Sequence, residues 1–153
     1  VSRGGGNFIA RPASVGNPVT ISVSAKGRKI GEYKFRVRKL PDPAPYIAMG
    51  GDRFKSGALS KAALMSATGI HAAIDDGLLD IPFSVTSFRT MFFDNMGNAV
   101  PLASNGAQFS AQQKEQFRHL SRNKRFYITN VVVHGPDGTT RTLNGRNMEV
   151  IVQ

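Results

Sequence analysis

"YKFRVRKLPDPAP", Tyr33 to Pro45, decides how the chain divides. Tyr33, Phe35 and Val37 alternate with Lys34, Arg36 and Arg38, the period of a half-buried strand with one apolar and one basic face. Pro41, Pro43 and Pro45 then remove three backbone donors and favour extended geometry, which predicts a strand stop followed by a semi-rigid domain junction. Upstream, Val19, Ile21, Val23 and Ala25 alternate with Thr20, Ser22 and Ser24, and "KGRKIG" between the two runs reads as a hairpin turn. Two or three strands cannot bury a core by themselves. Residues 1–45 are therefore expected to be the end of a preceding β-domain, or strands lent to a neighbour.

Downstream the pattern mixes strands with two short helices. Ser60 is a candidate N-cap for a helix over Lys61–Ala67, with Gly69 as its C-terminal stop. Ser110 and Gln113 have capping-box spacing and open a second helix towards Leu120, with Phe117 and Leu120 on one face and Asn123 closing it. "RFYITNVVVHG" is apolar at adjacent positions, which predicts a central strand covered on both sides. "GPDG" predicts a turn into "TTRTL", "DNMGN" a hairpin between "IPFSVTSFRTMFF" and "AVPLAS", and "MEVIVQ" a final strand. The expected fold is mainly β, with β-sandwich-like domains and two short helices in the C-terminal one, at the margin of α+β. The expected division is 1–45 and 46–153.

Of the 153 residues, 41% are apolar and ten are Phe, enough for a packed core and too many for a solvating tail. Without cysteine, a disulfide framework and Cys-based zinc or redox sites are excluded. No apolar run approaches the roughly 20 residues of a membrane span, and no signal peptide is visible. The start at Val1 points to a mature product or an excised fragment. The net charge of +10 is uneven. Through Pro45, nine Lys and Arg face only Glu32 and Asp42, leaving eleven basic and eight acidic residues for the rest. A basic strand face fits a nucleic-acid surface, a solvated edge that resists aggregation, or an acidic protein partner.

Catalytic chemistry is poorly represented. His71, His119 and His134 fall in unrelated elements without two-His helical spacing. "DDGLLD" gathers Asp75, Asp76 and Asp80 but lacks the spacing and terminal Glu of an EF-hand loop, so it reads as a solvated turn. There is no G-x-S-x-G elbow, and "RGGGN" lacks the Lys and Ser/Thr of a phosphate loop and reads as a flexible connection. No enzyme, cofactor or metal is expected.

Several segments in order carry a resemblance that covers nearly the whole chain: "YKFRVRKLPDP", "AMGGDRFKSGALSKAAL", "DIPFSVTSFRT", "ASNGAQFSAQQKEQF" and "YITNVVVHGPDGTTRTLN". Together they resemble the C-terminal periplasmic region of the GldM/PorM family of the type IX secretion and gliding machinery of Bacteroidetes. The resemblance implies a dimeric periplasmic shaft. An inner-membrane motor partner would be reached only through an N-terminal membrane segment not in this chain, and an outer-membrane-associated ring of lipoprotein and partner subunits would be reached by the C-terminal β-domains. It places residues 1–45 at the end of the penultimate domain and 46–153 in the terminal one, and it carries no catalytic motif.

The expected function is docking and mechanical transmission. Lys34, Arg36 and Arg38 are the first candidate partner-binding residues. Lys114, Arg118 and Arg122, extended by Lys124 and Arg125, form a second basic cluster near the end of the second helix. The alternative for that cluster is favourable interaction with the helix C-terminus. A nucleic-acid-binding β module is the competing class. It is disfavoured by the lack of an RNP-like aromatic motif or recognition-helix pattern, so no nucleic-acid partner is expected.

Overall fold

The computed structural model describes all 153 residues, Val1–Gln153, and divides them into two compact units, Val1–Pro41 and Asp42–Gln153. Strand accounts for 52% of the chain and helix for 10%, so the fold is mainly β.

The first unit is two antiparallel ribbons. β1 (Ser2–Gly4) pairs with β2 (Asn7–Phe8), so "RGGGN" is a hairpin turn rather than an open connection. β3 (Pro18–Ala25) pairs with β4 (Arg28–Arg36). Their turn has Lys26 at φ 49° and Gly27 at φ 75°, the doubly left-handed geometry whose twist matches that of the flanking strands. Val19 faces Phe35 and Ile21 faces Tyr33 across the ribbon. The alternation thus holds, but within this unit Tyr33 and Phe35 remain more than half exposed.

The second unit begins inside the proline-rich stretch. β5 (Ala44–Met49) takes Pro45 into its strand pairing, opposite Ala72, and both Pro43 and Pro45 are buried. Of the three expected junction prolines only exposed Pro41 stays outside this unit, because a proline is accommodated near the start of a strand. β6 (Asp52–Phe54), β7 (Gly57–Leu59), α1 (Lys61–Ser66), β8 (His71–Asp75), β9 (Asp80–Phe93), β10 (Ala99–Ser104), α2 (Ala111–His119), β11 (Arg125–His134), β12 (Thr140–Thr142) and β13 (Met148–Val152) follow. They make one curled nine-stranded sheet, ordered β6-β5-β8-β9-β11-β13-β7. β10 joins β9, β12 joins β11, and β13–β7 is the parallel pair.

The core lies where the helices meet this sheet. Phe117 of α2 sits 4.9 Å from Phe109, 5.1 Å from Phe126 and 5.9 Å from Phe92 between ring centroids, and Phe109 meets Phe88 edge-on at 5.5 Å. A nine-residue helix is marginal alone. Burial of an aromatic side chain, about 2 kcal/mol each, therefore fixes α2 more than helix propensity does. The capping box expected at Ser110 and Gln113 is present, and Gln113 is fully buried with Nε2 donating to Leu102 O at 3.1 Å. The chain turns after Leu120, so Asn123 (φ 66°) does not close the helix; its N–H donates to Val152 O in the turn leading to β11.

Two other expectations change. Gly69 does not end α1, whose C-cap is Ala67; it bridges to Gln108. β11 is central in the order but is not covered on both sides. Phe126, Ile128, Val131 and Val133 are buried, while Tyr127, Thr129 and Val132 are half-buried on the other face. A register shift around Asn130 (φ 50°) moves the buried set from even to odd positions. Two apolar faces read from sequence are thus one face displaced by a bulge.

Candidate partner-binding surfaces

The structure keeps the expected cations at the surface but sorts them differently. Lys34 stands opposite Thr20 and Arg36 opposite Pro18, both exposed, while Arg38 lies beyond the strand end at Arg36. Arg36 and Arg38 also line a cleft of about 460 Å³ with Ala10, Pro12, Val19, Ile21, Phe35 and Val37; Lys34 does not. Lys29 pairs with Glu32 on the same strand. Val1–Pro41 consequently holds nine Lys and Arg against Glu32 alone.

The second cluster separates into paired and free members. Arg118 Nη1 is 2.9 Å from Glu115, and Arg125 Nη1 is 3.0 Å from Glu149. Such exposed pairs contribute little to stability, because water screens them. The cation that satisfies the end of α2 is one the sequence did not suggest. Lys61 Nζ donates to Arg118 O at 2.6 Å and Leu120 O at 2.7 Å, two carbonyls left over by the last turn. Lys114, Arg122 and Lys124 are exposed and outside every ion pair.

The three histidines lie in separate places. His71 stacks on Tyr46 at 5.4 Å, His119 Nε2 meets Glu115 at 3.1 Å, and His134 Nδ1 meets Thr140 Oγ1 at 3.2 Å. "DDGLLD" is the β8–β9 hairpin. Asp75 and Asp80 face each other across the strands, a like-charge pair that would repel. Arg53 bridges them, at 3.3 Å from Asp75 and 2.9 Å from Asp80, and Lys55 adds a contact to Asp75 at 2.8 Å. Asp76 Oδ1 accepts from the backbone of Leu78 and Leu79 at 3.0 and 2.8 Å. Arg53 and Arg141 are organising residues that sequence reasoning missed, because their carboxylates come from distant or turn positions.

Four carboxylates are held below the ordinary aspartate range. Lys55 and then Arg53 act on Asp75, and the Leu79 and Leu78 amides on Asp76. The Asn98 side chain and amide act on Asp94, and the Thr139 hydroxyl and amide with Arg141 on Asp137. Each binds a proton less readily folded than unfolded. Their contribution is therefore complete above about pH 4 and is lost as pH falls through each lowered folded pKa. Thermal melts should agree at pH 7 and pH 5 and shift down by pH 3; an unshifted midpoint at pH 3 would contradict these contacts.

Two β-rich units, one after the other along the chain with a proline-containing connection between them, define a tandem β-domain protein. Residues 41–153 match the GldM C-terminal domain and residues 1–38 match the GldM third domain, so the chain belongs to the GldM family. No curated protein matches it. The family is a structural component of gliding motility and type IX secretion. Its C-terminal domains belong to the periplasmic side of a membrane-anchored protein, and no helix in this chain is long and apolar enough to cross a membrane.

Proposed function

We propose that this chain is a non-enzymatic docking and transmission element of a periplasmic shaft in the type IX secretion and gliding machinery. It works as a homodimer and relays inner-membrane motor force to a ring of lipoprotein and partner subunits at the outer membrane. The observation that carries the reading is the concentration of charge: nine cations against one carboxylate in Val1–Pro41, beside a terminal unit with eleven against nine. A surface so biased steers an acidic partner into register and suppresses basic ones. The connection supports transmission, since Pro41 restricts the backbone at the boundary more than a Gly/Ser linker would, and Pro43 just after it is packed into the terminal unit.

The test is binding of the purified chain to the ring subunits at moderate and high salt, with duplex DNA as control. Saturable, salt-sensitive ring binding is expected. Changing Lys34, Arg36 and Arg38 together to Glu should weaken it by at least about tenfold, since like charges then face each other across the contact, while leaving the melting profile unchanged. Unchanged affinity removes these residues from the interface. Tight DNA retention without ring binding assigns the basic unit to nucleic acid instead.

A further inference from the structure

The sheet of the second unit carries four arginines, and three have carboxylates. Arg53 on β6 reaches Asp75 and Asp80, Arg125 on β11 reaches Glu149, and Arg141 on β12 reaches Asp42 and Asp137. Arg89 on β9 is the exception: it is exposed and makes no ion pair or side-chain hydrogen bond. It lines a cleft of about 320 Å³ in which it is the sole charged residue. Ser87, Asn105, Asn130 and Thr142 supply amide and hydroxyl groups there, and Val132 supplies apolar surface. Ser104 also lines the cleft, but its hydroxyl is already engaged with Gln108 O.

The fold makes this cleft where β9 and β11 shift register. Arg89 pairs with Thr129, the next regular partners are Ser87 and Val132, and Asn130 lies in the interval at φ 50°. A bulge of this kind re-aims side chains out of the alternating pattern. Asn130 tolerates the left-handed conformation better than a β-branched residue would. The result is an exposed carboxamide in the cleft that Arg89 lines, on a strand whose neighbouring positions, Thr129 and Val131, are half-buried and buried.

We propose that this cleft binds a carboxylate side chain of an acidic segment of a partner protein. Arg89 would grip both carboxylate oxygens through its planar fork, and Asn130, Ser87 and Thr142 would complete the hydrogen bonding. Charge complementarity selects the occupant, because every charge lining the site is positive and no carboxylate of this chain answers it. The inference rests on the docking reading only for the source of the carboxylate.

The experiment is amide-resolved NMR titration of the 153-residue chain with an end-blocked pentapeptide carrying one glutamate between valines, with its glutamine counterpart, and with inorganic phosphate. Saturable shifts at Ser87, Asn130 and Thr142 are expected with the glutamate peptide. Binding should be at least tenfold weaker for the glutamine peptide and for the Arg89→Gln variant, whose other amides should not move. Equal binding by Arg89→Gln, shifts confined to Arg122 and Lys124, or no shifts at all would overturn the site. Phosphate binding tighter than the glutamate peptide would overturn the protein source in favour of a free oxyanion. Because no ring subunit takes part, failure here is separable from failure of the docking reading.

Discussion

Replacing Gly69 by alanine is expected to destabilise the terminal unit by about 3 kcal/mol, the upper range for forcing extra volume into a closed site. A Cβ at this position would stand 2.1 Å from Ala107 O, 2.8 Å from Ala107 C and 2.8 Å from Gln108 Cα, all of them backbone atoms. A flexible side chain could swing aside; this backbone cannot move without loosening its hydrogen bonds. Ile70 N donates to Ala107 O at 2.8 Å, and Phe109 N donates to Thr68 O at 3.0 Å. Phe109 in turn packs against Phe88 and Phe117, so displacement at Gly69 propagates to the ring cluster that seats α2. The midpoint of thermal unfolding should fall by on the order of 10 °C. A Gly51→Ala control, where a Cβ meets nothing within 4 Å, should leave it nearly unchanged. Equal midpoints for the two variants would mean that the 68–70 and 107–109 segments do not approach as described.

Gly69 also illustrates what the sequence could reveal. It followed a helix-forming run and read as a helix stop, a local inference; its constraint comes from Ala107, 38 positions away, and no local rule carries that. Turns were legible because their chemistry is local. "KGRKIG", "DNMGN" and "GPDG" all form the expected hairpins, and the Ser110–Gln113 capping box forms as its spacing implied. β11 misled because alternation assumes an unbroken pleat, and the bulge at Asn130 moves the buried positions by one. The prolines misled in part because Pro43 and Pro45 do restrict the chain, but do so packed into the terminal unit. As for the surfaces, sequence identifies a cation but not its counter-ion. Lys114 and Arg118 looked equivalent, yet only Arg118 has a carboxylate, and Lys61, Arg89 and Arg141 acquire their distinct roles only when distant strands and helix ends are brought together.

The largest effect of a charged residue should come from Arg141→Ala, expected to destabilise by about 3 kcal/mol, the lower end for breaking a buried ion pair because its acidic partners retain some access to water. Arg141 has only 7% of its side chain exposed, against 53% for Asp42 and 25% for Asp137. Its guanidinium reaches Asp42 at 3.2 Å and Asp137, its Nε donates to Thr139 Oγ1 at 3.1 Å, and its charge lies 5.5 Å from the centre of the Phe83 ring. Truncation would leave a void beside Phe83 and two carboxylates without their cation. Asp42→Asn, at the exposed end of the same contact, should change stability by less than about 1 kcal/mol. The comparison matters for function because Asp42 is the first residue of the terminal unit, two positions before β5. Under the proposed transmission role, load arriving along the chain enters at this point, and Arg141 ties that entry to the β11–β12 hairpin. Chemical denaturation should therefore rank Arg141→Ala well below Asp42→Asn, and limited proteolysis of Arg141→Ala should open new cleavage near Asp42 before the rest of the unit is cut. Equal stability of the two variants, with cleavage near Asp42 unchanged, would show that the strand entry is held by its own backbone pairing and that the arginine does not anchor it.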